Sequence, residues 1–159
     1  MNKNNIYQLM SIKAFANLDY NDFDVINNIL ILSRFKPNDV ILKEGSHGDS
    51  MHFVIEGILE VLKENDNNES IPIATISHGE FIGEIAMIVG FVRTATIRAK
   101  TEGSLLTLKR NDFEELIETH ARIAAGILKS IVKLVSMNLL KTSKNLVSSK
   151  EKDNRSIAL

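Results

Sequence analysis

Between positions 35 and 108 the chain never runs more than a few apolar residues before Gly, Asn or Asp breaks the pattern, and this spacing restricts the fold more than any other feature. The apolar stretches 40–42, 51–55, 58–62, 71–76, 94–99 and 104–108 are strand-length and too short for packed helices. Gly45-Ser46-His47-Gly48-Asp49, Glu56-Gly57 and Asn65-Asp66-Asn67-Asn68 supply the turns between them. Many brief strands joined this way predict an antiparallel sandwich or jelly roll.

Both ends read as helix. Asp19 is placed to cap a helix with Phe23, Ile26, Ile29, Leu30 and Leu32 on one side, closing an end of the β structure. Asn111 with Glu114 three residues on resembles a capping box, followed by Phe113, Leu116 and Ile117 at helical period. Beyond it Ala124, Ile127, Leu128, Ile131, Val132, Leu134, Val135, Leu139 and Leu140 give an apolar face too wide for a helix that merely lies on one domain. Positions 124, 127, 131, 134 and 138 fall on a heptad seam, with Asn138 as its polar member. Either a partner helix covers that seam or the helix folds back onto its own β structure. The fold class expected is mainly β with flanking helices: N-terminal helices, an antiparallel β-roll and a long C-terminal helix.

Composition removes several functions. At 159 residues and 44% hydrophobic the chain can bury one core, so one domain is expected. A net charge of −1 without a massed basic stripe lacks a general nucleic-acid footprint. The absence of Cys excludes disulfides, zinc fingers and thiol catalysis. His47, His52, His78 and His120 lack the His-x-His spacing of a metal-dependent cupin, so neither a metal nor a cofactor is expected. No apolar signal core opens the sequence and no uninterrupted run approaches the roughly 18 apolar residues of a membrane span, which gives a cytoplasmic expectation with no membrane partner.

Residues 83–96 carry the chemistry. Gly83 lets backbone approach a ligand closely, and the apolar run 85–89 predicts a short helix whose leading N–H groups favour an anion. The Arg93 guanidinium can fork onto two phosphate oxygens, and the Thr94 hydroxyl can add a bond. Glu84 accepts hydrogen bonds and so suits a sugar hydroxyl, not a phosphate. These demands are those of a cyclic phosphate fused to a ribose. A hydrolytic role would need a base and metals at the phosphodiester, and the segment supplies neither, so no enzyme is expected.

This segment resembles the phosphate-binding cassette of the cyclic-nucleotide-binding domain family, found in catabolite activators, kinase regulatory subunits and nucleotide-gated channels. Gly83, Glu84, Ala86, Arg93, Thr94 and Ala95 match the family pattern, in which Ile85 is the aliphatic after Glu84, while Val92 stands where the family has Pro. The glycine turns of Ile41-Leu42-Lys43-Glu44-Gly45, Phe53-Val54-Ile55-Glu56-Gly57 and Gly79-Glu80-Phe81-Ile82-Gly83 follow the order of the family's β-roll, so the resemblance covers about residues 8–141. It implies that Val61 and Ile73 flank the base, with Ala95 close by. It also implies that Asn138 lies where a helix side chain bonds the adenine, and that residues 123–140 pair with a second copy in a homodimer.

The resemblance implies a cyclic-nucleotide sensor that binds cyclic AMP (cAMP), with cyclic GMP (cGMP) as the second candidate through Thr94. Movement of the C-terminal helix would transmit the signal to an unknown effector protein. Residues 1–145 form the expected domain, and 146–159, rich in Ser, Lys and Asn, the expected disordered tail. In the activators a DNA-reading unit of several tens of residues follows the dimer helix, and positions 141–159 are too short for one, so no DNA binding by this chain is expected. The alternatives are a ligand-free interaction module and a fragment of a larger transcription regulator.

Overall fold

Two four-stranded antiparallel sheets are stacked face to face, one ordered β1-β8-β3-β6 and the other β2-β7-β4-β5. The first holds β1 (Leu30–Phe35), β3 (Ser50–Glu56), β6 (Phe81–Ile82) and β8 (Gly103–Lys109); the second holds β2 (Val40–Leu42), β4 (Leu59–Glu64), β5 (Ser70–Ile76) and β7 (Thr96–Ala99). This computed structural model describes residues 3–157 apart from 68 and 91, with side chains at 6–144 and at 147. Helices α1 (Lys3–Met10), α2 (Asp22–Ile29), α4 (Arg110–Thr119) and α5 (Ala121–Ile157) flank the sheets, and α3 (Glu84–Val89) interrupts the strands. The β-roll with its long C-terminal helix is the architecture expected from the turn spacing.

Strand alternation divides the core in two. Val54, Leu59, Ile82, Ile97 and Leu105 point between the sheets, whereas Met51, Phe53 and Leu108 point the other way and meet Phe15, Phe23, Phe113 and Ile127 of the helical layer. The first sheet is therefore apolar on both faces. Phe15 anchors the helical side, its ring centroid 4.7 Å from that of Phe53 at a tilt of 50° and edge-on to Phe23 at 6.4 Å.

Three local expectations are corrected. Leu30 and Leu32 belong to β1, paired with Leu108 and Leu106, because the run from Ile29 to Leu32 satisfies period 2 as well as period 3.6 and β8 offers a strand to pair with. Asp19 is not the cap: its N–H donates to Asp22 Oδ2 at 2.8 Å, and Asp22 also pairs with Arg122 of α5. Helix α4 starts one residue before Asn111, at Arg110, with no side-chain cap. The Asn65 carboxamide closes its turn on the Asn67 and Glu69 N–H groups, while Asn68 lies outside the described residues.

The long helix differs most from its sequence reading. Ile123, Ala124, Ile127 and Ile131 are buried in their own helical core, so positions 124, 127 and 131 are not an open seam. Gly126 explains how: a Cβ there would meet Leu18 Cδ2 at 2.9 Å and the Asn17 carbonyl oxygen at 3.2 Å, so its absence lets the loop before α2 press against the helix. Asn17 Nδ2 then donates to Ser130 Oγ at 2.7 Å. What stays exposed lies on another stripe, Val132, Val135, Leu139 and Leu140. The stretch Ala121–Lys144 is also long and apolar enough, by length and composition, to cross a membrane, which a search for uninterrupted apolar runs overlooks; its first half packs in the core just described. The backbone stays helical to Ile157, where a disordered tail was expected from 146: the segment holds Lys and Glu and neither Gly nor Pro, so nothing stops the helix. Residues 158 and 159 lie outside the described residues.

Candidate functional site

A cavity of about 200 Å³ opens between the second sheet, α3 and α5. Gly83, Glu84, Ile85, Ala86, Arg93, Thr94 and Ala95 line one side, Val61 and Ile97 the sheet side, and Asn138 reaches it from α5. Residues 83–86 and 93–95 are thus brought together in one wall, and Asn138 is brought to it by the path of α5 over the domain.

The wall is built from close backbone packing. Gly83 caps α3 at φ +82°, and a Cβ there would lie 2.5 Å from Arg93 Nη1. Gly48 is packed equally tightly: a Cβ would meet the Ala86 methyl at 2.3 Å and Arg93 Nε at 3.0 Å. Its sequence role as a turn glycine omits this second reason, which only the tertiary contact reveals. Because α3 has six residues, its dipole is small, and the full positive charge at the cavity is that of Arg93.

Arg93 is 5% exposed. Nη1 donates to the Ser50 carbonyl at 2.7 Å and to the Gly83 carbonyl at 3.1 Å, and Nη2 donates to Ser50 Oγ at 3.0 Å. Burial draws the guanidinium pKa down and the Asp49 carboxylate draws it back up. Glu84, the first residue of α3, forms no ion pair with Arg93 among the described residues. Burial raises its carboxyl above the usual carboxylate range, opposed by its own backbone N–H and by Arg93. Ser50, which holds Arg93, was not singled out from sequence, for a lone Ser after Gly-Asp carries no periodic or spacing signal.

Behind Ser50 lies His52. Its Nδ1 is 2.9 Å from Thr107 Oγ1 and its Nε2 is 3.4 Å from Ser50 Oγ. Burial, reinforced by Arg93, lowers its pKa to about 4, so it is neutral at physiological pH. A further cation, Arg110 at the start of α4, donates from Nη2 to the Gly48 carbonyl at 3.0 Å and the Ala86 carbonyl at 2.5 Å, fastening α3 to the helical layer.

One residue is not brought to the cavity. Ile73 is 61% exposed and absent from the lining, because Val61 pairs with Ala74 and Leu62 with Pro72, leaving Ile73 in a bulge that turns it outward. Ile76 of the same strand lines the cavity instead, with Leu42, Phe81 and Ile82. Alternation from Val61 and Ile97 was the available signal, but the bulge shifts its phase.

The sequence model of the cyclic nucleotide-binding domain matches residues 32–120. The potassium/sodium hyperpolarization-activated cyclic nucleotide-gated channel 2 of Mus musculus is 32% identical over 110 residues, which are 69% of this chain and 12% of the channel. The chain thus spans about an eighth of that relative's length. Among solved structures, a cyclic nucleotide-binding domain from Methylobacillus flagellatus superposes with a TM-score of 0.85 at 19% identity, covering 92% of this chain and 84% of that one. The catabolite activator protein of Thermus thermophilus superposes at 0.75 with 20% identity, covering 84% and 61%. With the family model matching more than half of this chain and the β-roll fold shared with these structures, the chain belongs to the cyclic nucleotide-binding domain family.

Proposed function

We propose that this protein is a non-catalytic, cytoplasmic sensor that binds one 3′,5′-cyclic purine nucleotide per chain and reports it through α5. The observation that carries this reading is the cavity that gathers Glu84, Arg93 and Thr94 against an apolar sheet wall, with Asn138 of α5 at its mouth. Arg93 and Thr94 take the phosphate, Glu84 the ribose 2′-hydroxyl, and Val61 and Ile97 flank the base. The Asn138 amide offers a donor and an acceptor, as an adenine edge requires. We read the preferred ligand as cAMP, with cGMP the second candidate through Thr94. Because Asn138 of α5 lines the cavity, a nucleotide seated there contacts α5 and displaces it. That displacement is the signal, because a ligand shifts a conformational equilibrium by its differential contacts.

The assembly that suits this reading is a homodimer through residues 123–140, within a ligand-binding unit of residues 1–145. Its seam is the exposed stripe Val132, Val135 and Leu139, led by Leu128, which is itself partly buried against the domain, since the first seam positions are buried in the domain. This spacing of four, three and four residues follows a heptad.

Calorimetry with cAMP and cGMP on the purified chain tests the ligand reading. One site per chain is expected, with stabilisation of about 2.7 kcal/mol at a hundredfold excess over Kd. Heat and melting temperature unchanged at millimolar nucleotide would leave the ligand-free interaction module as the better reading. Arg93→Ala should abolish binding and also destabilise the unliganded fold, because Ser50 and Gly83 lose a buried donor.

A further inference from the structure

The arm from Val92 to Thr96 carries three cavity residues, Arg93, Thr94 and Ala95, before its strand ladder begins at Thr96. A single bridge from Val92 to His47 precedes it, and the arm contains no proline to limit its backbone. Hydrogen bonds to the turn after β2 hold one side: Arg93 N–H to the Ser46 carbonyl at 2.7 Å, Gly45 N–H to the Arg93 carbonyl at 2.9 Å, and Glu44 N–H to Thr96 Oγ1 at 3.0 Å.

The next carbonyl, that of Thr94, is held by a side chain from another strand. Lys63 Nζ of β4 donates to it at 2.9 Å. The same ammonium pairs with the Glu44 carboxylate, whose other oxygen lies 3.5 Å from the Glu64 N–H. The pair holds Glu44 below the usual carboxylate range, chiefly through the Lys63 bond, so the carboxylate stays ionised and anchors the lysine. A peptide unit is planar and trans, so fixing the Thr94 C=O toward Lys63 directs the Ala95 N–H the opposite way. No acceptor for that N–H lies among the described residues, and Ala95 lines the cavity.

We infer that Lys63 is a positioning residue for the nucleotide site: it holds the Thr94 carbonyl from outside the cavity and thereby orients the Thr94–Ala95 peptide toward a bound phosphate. The inference rests on the reading of this cavity as a cyclic nucleotide site. Lys63 and Glu44 form a largely surface pair, and such pairs add little to stability. The effect of Lys63 therefore falls on the ligand and on the arm, not on the fold.

The test uses the full chain with Lys63→Met and Lys63→Arg, reading cAMP and cGMP affinity by calorimetry and backbone NMR order parameters at Thr94 and Ala95 without ligand. Lys63→Met should weaken both nucleotides about two- to tenfold and lower both order parameters. The melting temperature of the unliganded protein should stay where it was, and Lys63→Arg should restore affinity and order. Unchanged affinity in Lys63→Met would overturn the inference. So would a loss of affinity with unchanged order parameters, since Lys63 would then act only as a charge near the phosphate. If the parent chain binds neither nucleotide, the function reading falls, and the order parameters alone still decide whether Lys63 fixes the arm.

Discussion

Arg93 and Glu84 face one cavity under opposite constraints. Arg93 donates three hydrogen bonds to Ser50 and Gly83, which hold it in place before any ligand arrives and leave Nε and one Nη2 hydrogen to meet a ligand. Glu84 has burial without a matching cation, and its carboxyl pKa rises for that reason. For an acid raised in the folded state, folding takes up protons as pH climbs from the unfolded pKa to the folded one. The cost is absent in acid and complete above the folded value. Glu84→Gln should therefore melt higher than the parent at neutral pH, with the difference closing as pH falls below the carboxylate range. Equal melting temperatures at neutral pH would show that Glu84 is not strained by burial. The same variant should lose preference for cAMP over its 2′-deoxy analogue, because an ionised acceptor bonds a hydroxyl more strongly than an amide does.

At the scale of elements, α5 decides more than its sequence pattern suggests. Ile123, Ala124, Ile127 and Ile131 are core residues, and fully burying each large aliphatic among them contributes about 1.5–3 kcal/mol. Together they rival the whole stability of a typical domain, about 5–15 kcal/mol. Ending the chain before Ala121, or replacing Ile131 with Asp, should thus abolish cooperative melting and not yield a folded monomer. Ending it after Val135 keeps the packed half and removes Asn138, so the fold should survive with weakened nucleotide binding. A cooperative melt for Ile131→Asp, followed by circular dichroism, would contradict this placement of the helix. The β5 bulge is a second decision at this scale: one inserted residue puts Ile73 outside and leaves Ala74 opposite Val61.

For the whole molecule, the exposed apolar residues of α5 are the surface that the proposed dimer would cover. Val132 is 62% exposed and Leu139 67%, on a helix that continues well past the domain it packs against. In the proposed dimer, pairing two copies along this stripe would cover it and bring two nucleotide sites to one helical pair, so a ligand that displaces α5 would act on both. Val135→Asp should break the dimer by placing unpaired charge in the seam while the domain still melts cooperatively. Sedimentation of parent and variant distinguishes the cases. A parent that sediments as a monomer with and without cAMP removes the dimer from the reading and leaves the stripe to a different partner.

The sequence by itself determined the β-roll, its turns and most of the residues that line the cavity, because those rest on local signals. Glycine spacing fixes where strands end, and Gly83, Glu84, Arg93 and Thr94 stand within twelve residues of one another. Only the tertiary structure decided whether the run from Ile29 to Leu32 is helix or strand, which depends on β8 lying beside it. It also decided that Ser50, Lys63 and Arg110 brace the cavity, since each acts through a carbonyl or hydroxyl distant in sequence. Finally it decided which stripe of α5 is buried. An apolar helix face on a wide arc fits either a partner or its own domain, and the choice is made by Gly126 and the loop that packs against it, which no periodicity encodes.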